Sequence, residues 1–461
     1  MIQAIIFILV SIVAFGYATK QFMKIRRNVL LGKDKEITGN AAQRWKNVAL
    51  IAFGQKKMFK RWIPATLHLF IYVAFLFTQI ELIEIMIDGV FGVHRFFADK
   101  IGILYPIIIS TIEILSVGAF VGTLIFLIRR NLLAIPRFHM DEMTGFPKLD
   151  GNLILVLEII LLIGVFSMNG ADVVLQAKGA DHYVDTGTFA VSSWLGPALF
   201  GGFSEGVLIG IERFGWWLHI LTVYVFLNYL PISKHLHIML AFPNTYYASL
   251  NPKGEMENMP DIMNEVKSMM GLIEMDPDAP MDDLPEFGAN DVMGLDWKNV
   301  LDSFTCTECG RCSSVCPAKT TGKKLSPRKV MMDVRDRATE IGHKLDTGDL
   351  QYVKEELKAE ATELTKDNFD DGKTLFDYIT TEEIHACTTC NACVEACPVL
   401  IDPLDIILKM RRYEILTLSA GPSDWLPMFT STENSGSVWQ VPDARDKWAE
   451  DAVATLNVNN E

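Results

Sequence analysis

The first 240 residues contain five long apolar segments, and these constrain the fold more than any other feature. They lie at about 2–19, 62–86, 101–128, 150–168 and 206–233. Crossing the hydrocarbon core of a bilayer takes roughly 20 apolar residues, so each segment is long enough to span a membrane as a helix. We therefore predict a five-helix transmembrane bundle. Because the basic residues follow the first segment and do not precede it, we interpret that segment as an uncleaved anchor.

Positive charge is distributed unevenly over the loops between these segments. Residues 20–61 and 129–149 carry twelve and four Lys and Arg residues, whereas 87–100 and 169–213 carry two each. Loops rich in Lys and Arg stay on the cytoplasmic side of a membrane. We therefore predict a multi-pass protein of the inner (cytoplasmic) membrane, with its N-terminus outside and the residues after the fifth span in the cytoplasm.

All eight cysteines lie in two copies of one motif. Cys306, Cys309, Cys312 and Cys316 precede Pro317, and Cys387, Cys390, Cys393 and Cys397 precede Pro398. Both copies read C-x2-C-x2-C-x3-C-P, the spacing of two-cluster ferredoxins. No cysteine remains for a structural disulfide, which is typical of ligands in a reducing compartment. The pattern predicts two [4Fe-4S] clusters, and a pair of zinc sites is the alternative.

The spacing also predicts how the cysteines are shared between the clusters. A tight loop supplies three thiolates at i, i+3 and i+6, whereas the fourth cannot reach back to the same cluster. Cluster 1 is therefore predicted on Cys306, Cys309, Cys312 and Cys397, and cluster 2 on Cys387, Cys390, Cys393 and Cys316.

The residues around the cysteines indicate a helical domain. Ser326 and Pro327 form an N-cap and first-turn pair, and Asp402 and Pro403 open a second helix. A third, charged helix is predicted over 350–366. We therefore predict an all-α chain, in which the transmembrane bundle is followed by an α-helical dicluster [4Fe-4S] domain.

Histidines in and near the spans are candidates for heme ligation. His68 lies in the second span near its cytoplasmic end, and His237 follows the fifth span at a matching depth. Polar side chains in lipid are costly and usually functional, so we predict that His68 and His237 ligate a b-type heme. A hydrogen-bonded core histidine is the alternative for either residue.

His219 leaves the number of hemes open. It lies in the fifth span, roughly 27 Å of helix before His237. A second heme there would need a facing histidine on the second span, where Thr78 stands instead. One heme, two hemes and a pairing of His68 with His219 are the alternatives. His235 lies on a different face of the helix from His237 and is predicted at the surface.

Carboxyl groups within the spans are candidates for proton transfer. Glu113 and Glu158 lie near the middle of the third and fourth spans, and Glu81 lies toward the outer end of the second. A quinone site needs a proton donor or acceptor, because quinol oxidation releases protons with its electrons. A hydrogen bond between helices is the alternative role for each of the three.

The fifth span and the cysteine domain each resemble a known family. His219 and the stretch PISKHLH, with His237 at its end, are similar to the gamma subunit of nitrate reductases, a cytochrome b whose matching histidines ligate heme. His68 matches a third ligand, and Thr78 replaces the fourth. The stretches GLDWKNVLDSFTCTECGRCSSVCPA, TGKKLSPRKVMMDVRD and ENSGSVWQVPDARDKWAE resemble heterodisulfide-reductase-like iron–sulfur subunits. They also resemble the membrane iron–sulfur oxidoreductases that serve electron-transfer flavoproteins and dissimilatory sulfite systems.

These resemblances imply an electron-transfer subunit linked to menaquinone. They divide the chain into a cytochrome b-like domain at 1–240, a linker at 241–295, a two-cluster domain at 296–417 and a partner-docking tail at 418–461. Many relatives continue into a cysteine-rich CCG domain, for which no cysteine remains here. The expected partners are the bilayer, quinone and a separate CCG-type or flavoprotein oxidoreductase subunit.

Two other functions remain open from the sequence. The chain could be a membrane ferredoxin-type assembly factor or a redox sensor, and neither would need a heme. No nucleophile or nucleotide-binding glycine loop follows residue 240, so we predict no catalytic residue. The net charge of −14 argues against nucleic acid as a partner, because phosphate binding needs a basic surface.

Overall fold

The computed structural model describes residues 2–252, 254–273, 287–439 and 446–458. Within these ranges the regular elements are helices and helical turns, joined by two isolated β-bridges. The predicted all-α class is confirmed, including the five transmembrane helices and the dicluster domain that follows them.

Five helices are long and apolar enough to cross a membrane. They comprise Ile2–Val29, Trp62–Phe91, Leu104–Asn131, Phe146–Lys178 and Glu205–Tyr229. Most are longer than their apolar segments because polar residues at their ends continue the helix beyond the hydrocarbon core. The fifth is followed by a 3-10 turn at Leu230–Ile232, which redirects the chain before the helix His237–Tyr246.

The fourth and fifth spanning helices approach each other closely through glycine. A β-carbon at Gly215 would lie 2.6 Å from the backbone nitrogen of Met168, and one at Gly164 would lie 3.0 Å from that of His219. Small residues of this kind let helix backbones pack in contact within a membrane. The contact holds His219 against the fourth helix.

The dicluster domain consists of short helices around the two cysteine motifs. Its helices comprise Trp297–Thr305, Pro327–Thr347, Thr381–His385, Ala392–Ala396 and Pro403–Arg412. The Ser326 side chain accepts a hydrogen bond from the backbone nitrogen of Lys329, as expected of an N-cap. Asp402 accepts bonds from the nitrogens of Leu404 and Asp405 in the same way.

The prediction of a helix over 350–366 is wrong. That segment contains only the 3-10 turns Leu350–Tyr352 and Glu355–Leu357, followed by turns and bends. Val353 forms an isolated antiparallel bridge with Phe369 instead, and both side chains are buried. Charge alone does not provide the apolar face that holds a short helix against a core.

The chain divides into two compact units, one of residues 1–257 and 291–407 and the other of residues 258–290 and 408–461. The first unit therefore contains both the spanning helices and the cysteine motifs. Within the second, the helix Leu426–Ser435 follows a turn that places Trp425 in edge-to-face contact with Phe429. The four predicted segments of the chain remain a prediction.

Candidate redox centres

The two cysteine loops have the same backbone conformation. Glu308 and Thr389, each two residues after the first cysteine of its motif, have φ angles of 52° and 55°. Gly310 and Asn391, each following the second cysteine, have φ angles of 68° and 58°. Left-handed residues are uncommon outside glycine, so their repetition at matching positions is a strong local signature. Each loop therefore curls around a centre of its own.

Backbone amides are directed at the sulfur atoms in both loops. The nitrogen of Glu308 lies 3.4 Å from Sγ of Cys306, and that of Thr389 lies 3.5 Å from Sγ of Cys387. The nitrogen of Ile401 lies 3.3 Å from Sγ of Cys397. Such hydrogen bonds stabilise thiolate ligands and tune the reduction potential of an iron–sulfur cluster. The loops are therefore suited to hold [4Fe-4S] clusters.

The thiols of the two motifs are interleaved. Cys397 lies close enough to Cys306 and Cys309 for their thiols to interact electrostatically. Cys393 interacts in the same way with Cys387 and Cys316. These neighbours are the ones expected if each motif gives its fourth cysteine to the other cluster. Burial raises the pKa of Cys306, Cys393 and Cys397 to about 12, so a metal must displace their protons.

His68 and His237 are both held in the tautomer that ligates metal through Nε2. Nδ1 of His68 donates to Oε1 of Gln55 at 3.2 Å, and Nδ1 of His237 donates to the backbone oxygen of Lys234 at 2.9 Å. The two imidazoles lie close enough to interact electrostatically. Burial also lowers the pKa of His237 below its ordinary value and keeps it neutral. The pair therefore fits the axial ligands of a b-type heme, since ligating histidines usually bond through the other nitrogen.

The prediction that His235 lies at the surface is wrong. The side chain is half-buried, its ring centroid lies 5.6 Å from that of His237, and it also interacts with His68. The 3-10 turn Lys234–Leu236 places it there, whereas a continued helix would have turned it away. The three imidazoles do not form a compact metal site. Among the described residues, one group has ligand atoms close enough together to hold a metal ion, and it consists of Glu257, Asp296 and Asp405. Lys35 pairs with Glu257 and Asp296 of this group.

His219 differs from the other two histidines in its hydrogen bonds. It is fully buried and bonds to the backbone of Leu161, while its Nδ1 has no partner. Its Nδ1 therefore lacks the hydrogen bond that orients the imidazoles of His68 and His237. On the second span, the side chains of Thr78 and Gln79 bond to Phe75 of their own helix. The local arrangement favours one heme over two.

The membrane domain and the cluster 1 loop are joined by a buried ionic bridge. Glu308 accepts from Nζ of Lys234 at 2.5 Å and from Arg335 at 2.7 Å. Burial would raise the pKa of Glu308, but these two cations hold it below its ordinary value. Sequence reasoning missed this bridge, because the lysine and the glutamate are 74 residues apart and no local pattern links them.

A second bridge ties the loop between the third and fourth spanning helices to the same domain. Arg328 is fully buried, lies 2.8 Å from Glu142 and donates to the backbone oxygen of Arg137 at 2.7 Å. Arg27 at the end of the first span likewise pairs with Asp346 at 2.6 Å. The loops that carry most of the positive charge therefore lie on the same side of the bundle as the clusters.

The predicted proton-transfer residues have different surroundings. Glu113 accepts from the backbone nitrogens of Val191 and Ser192 at 2.7 and 3.1 Å, which fits a structural role. Glu81 is fully buried beside Asn169 and Arg95, and its Oε2 has no partner. Glu158 is half-buried within the fourth spanning helix. Arg95 was not predicted from the sequence, because an arginine in a loop between two spans gives no signal of burial.

Comparison with known proteins supports the cluster domain. Residues 305–401 match a family model described as a 4Fe-4S dicluster domain. No solved structure matches the chain. The match contains all eight cysteines, and it shows that the sequence pattern identified the right class of site.

Curated relatives match over nearly the whole chain. The probable iron-sulfur-binding oxidoreductase FadF of Bacillus subtilis is 26% identical over 98% of this chain and 61% of its own length. The EtfAB:quinone oxidoreductase of Syntrophomonas wolfei is 24% identical over 96% of this chain and 58% of its own length. A probable membrane-anchored ferredoxin of Chromohalobacter salexigens is 30% identical over 38% of this chain and 25% of its own length.

The chain thus spans about three fifths of the length of the first two relatives. Their shared character, together with the dicluster match and the five apolar helices, makes this a transmembrane protein similar to the iron–sulfur oxidoreductases, with a two-cluster [4Fe-4S] domain after its membrane bundle.

Proposed function

We propose that this chain relays electrons between menaquinone and heme b in the membrane and two [4Fe-4S] clusters in the cytoplasm. The observation that carries the proposal is the position of the His68 and His237 pair. Its two Nε2 atoms are left available for a heme, and it lies in the same compact unit as the interleaved cysteines. When bound, a heme and two cubanes each carry one electron at a time. The chain's own residues hold these groups and move protons.

We further propose that Glu81 exchanges the proton of the quinone. Its free oxygen is buried, whereas both oxygens of Glu113 have hydrogen-bond partners. Arg95 donates hydrogen bonds to both Asn169 and Asp172. Asp172 also lies 3.3 Å from His94. These hydrogen bonds fix the Glu81 carboxyl group in position and leave its Oε2 available to take up or release a proton.

Glu81→Gln is expected to slow heme reduction by a menaquinol analogue about 10²-fold, the lower range for loss of an acid–base group. Stopped-flow absorbance of the heme α band measures the rate. Glu158→Gln is the matched control and should leave the rate unchanged, while both variants keep the wild-type heme content. If Glu158→Gln is slow and Glu81→Gln is normal, the proton-exchanging residue is Glu158.

The electron partner is proposed to be a separate CCG-type or flavoprotein oxidoreductase subunit. One relative is named for oxidising or reducing EtfAB, which favours an electron-transfer flavoprotein. The acidic chain would complement a basic patch on such a partner. In the predicted docking tail Trp439 and Trp448 are 78% and 75% exposed, and exposed aromatics often anchor interfaces. Residues 440–445 and 459–461 of that tail lie outside the described residues.

Deleting residues 418–461 is expected to leave heme and clusters in place but to lose the partner during purification. Co-purification of soluble subunits with a tagged chain, beside heme and iron content, measures both effects. The double variant Trp439→Ala, Trp448→Ala is the finer test and should weaken capture in the same direction. Full recovery of the complex after deletion would place the interface elsewhere on the chain.

A further inference from the structure

Arg311 belongs to the first cysteine loop and contacts the membrane-domain segment next to His68. It stands between Cys309 and Cys312 in the sequence, is 7% exposed, and donates to the backbone oxygen of Lys57 at 3.3 Å. Lys57 follows Gln55 by two residues, and the Gln55 side chain bonds to His68. The Arg311 guanidinium also interacts electrostatically with the His68 imidazole and with the thiols of Cys309 and Cys397.

Two further arginines from the membrane domain surround the same loop. A β-carbon at Gly310 would lie 3.3 Å from that of Arg137, whose Nε is buried and without a partner. Arg137 also interacts with the Cys309 thiol. Arg61 donates to Oγ of Ser314 at 3.0 Å. Arg61, Arg137 and Arg311 therefore border the loop that holds cluster 1, in addition to Arg328 and Arg335, which donate to Glu308 of the same loop.

The surroundings of the second loop are different. Cys390 is exposed, and Cys393 interacts with the carboxylate of Asp402 and precedes Val394, whose backbone oxygen accepts from Lys57. Cys397 of cluster 1 also has an acidic neighbour, Asp302, but that carboxylate pairs with Lys298 at 2.7 Å. Most of this positive charge thus lies beside cluster 1, and solvent reaches cluster 2 at Cys390, while Cys316 and Cys393 are buried.

We propose that cluster 1 is the cluster that exchanges electrons with the heme, and that the charge of Arg311, which is close to the ligands of both groups, raises the reduction potential of both. The inference rests on the proposed heme and cluster ligation. One electron moves and no bond changes, so one group is oxidised as the other is reduced. Each reduction adds negative charge beside a guanidinium, which stabilises the reduced state. Cluster 2, with exposed Cys390, then faces the soluble partner.

The test is a potentiometric titration of Arg311→Gln, followed by EPR for the clusters and by absorbance for the heme. Cys397→Ser and Cys316→Ser assign the two cluster signals. At a fixed potential, the ratio of reduced to oxidised cluster 1 is expected to fall about tenfold, which is 59 mV for one electron. The heme should shift in the same direction, and cluster 2 should not shift.

Three further variants make the result decisive. Arg311→Lys keeps the charge and should restore most of the potential. Lys324→Gln removes a charge from an exposed ion pair with Glu382 in the same domain and should shift nothing. If Arg311→Gln fails to hold cluster 1, Arg137→Gln provides a second test, because it should lower the reduction potential of cluster 1 without substituting a residue of the cysteine loop.

A shift confined to cluster 2, or unchanged potentials in both Arg311→Gln and Arg137→Gln, would overturn the inference. So would a loss of heme from Arg311→Gln with an unchanged cluster 1 potential, because Arg311 would then serve the heme alone. Absence of heme or of clusters from the wild-type protein would contradict the proposed function instead, and is seen before any variant is made.

Discussion

Replacing His68 with alanine is expected to abolish the low-spin α band of heme b in the reduced-minus-oxidised spectrum. The imidazole is fixed by Gln55 with Nε2 available, and no other histidine lies in the second spanning helix to replace it. His237→Ala should have the same effect. Pyridine-hemochrome analysis, which measures heme irrespective of its ligands, shows whether heme is lost or only changes spin state.

Two other histidines provide the controls for this experiment. His94→Ala removes an imidazole that lies 3.3 Å from Asp172 in the loop after the second spanning helix, and it should leave the α band intact. His219→Ala should also retain it if the chain holds one heme, and should remove about half of it if there are two. An unchanged spectrum in His68→Ala would refute the pairing. A wild-type protein without heme would favour the assembly factor or the redox sensor.

Cysteine double variants are expected to reveal which thiols share a cluster. Two cubanes contain about eight iron atoms, and losing one ligand should cost the cluster that it holds. Cys306→Ala combined with Cys397→Ala should therefore lose only about four irons, as each single variant does. Cys306→Ala combined with Cys316→Ala should lose all of them, because these residues serve different clusters.

The outcome reverses if each motif holds its own cluster. Cys306 and Cys316 would then share a site and their double variant would keep about four irons, whereas the pair Cys306 and Cys397 would lose all. Iron and acid-labile sulfide measured together decide the matter. Zinc in place of iron, with no sulfide, would contradict both schemes. The double variant whose iron loss does not exceed that of either single variant is the informative one, because its two cysteines hold the same cluster.

The features that the sequence predicts correctly are those with a local period or spacing. Five apolar segments produce five helices because the period and length of such segments are properties of contiguous residues. Ser326 caps its helix for the same reason. The segment 350–366 was misread because its charges fit a solvated helix equally well, and only the distant Phe369 decides otherwise by pairing with Val353.

The sequence identifies the cysteines of the dicluster domain and the candidate histidines, but it does not predict the residues that surround them. The cysteines carry their own spacing, and His68 is conspicuous in an apolar segment. Arg311, by contrast, looks like any surface residue between two cysteines until the loop from the membrane domain covers it. The same holds for Arg95, whose partners Asp172 and Asn169 come from a helix more than 70 residues later. Long-range charge pairing leaves no signature in a single sequence.

The bridge from Lys234 through Glu308 to Arg335 limits how freely the two domains could be exchanged during evolution. Removing one partner of a buried ion pair typically costs about 3–5 kcal/mol, because the remaining charge stays desolvated. Glu308 lies in the cluster loop, while its lysine is supplied by the membrane domain. A dicluster domain grafted onto another anchor would lose that lysine and also Glu142, the partner of Arg328. The two halves are therefore expected to be inherited as a matched pair.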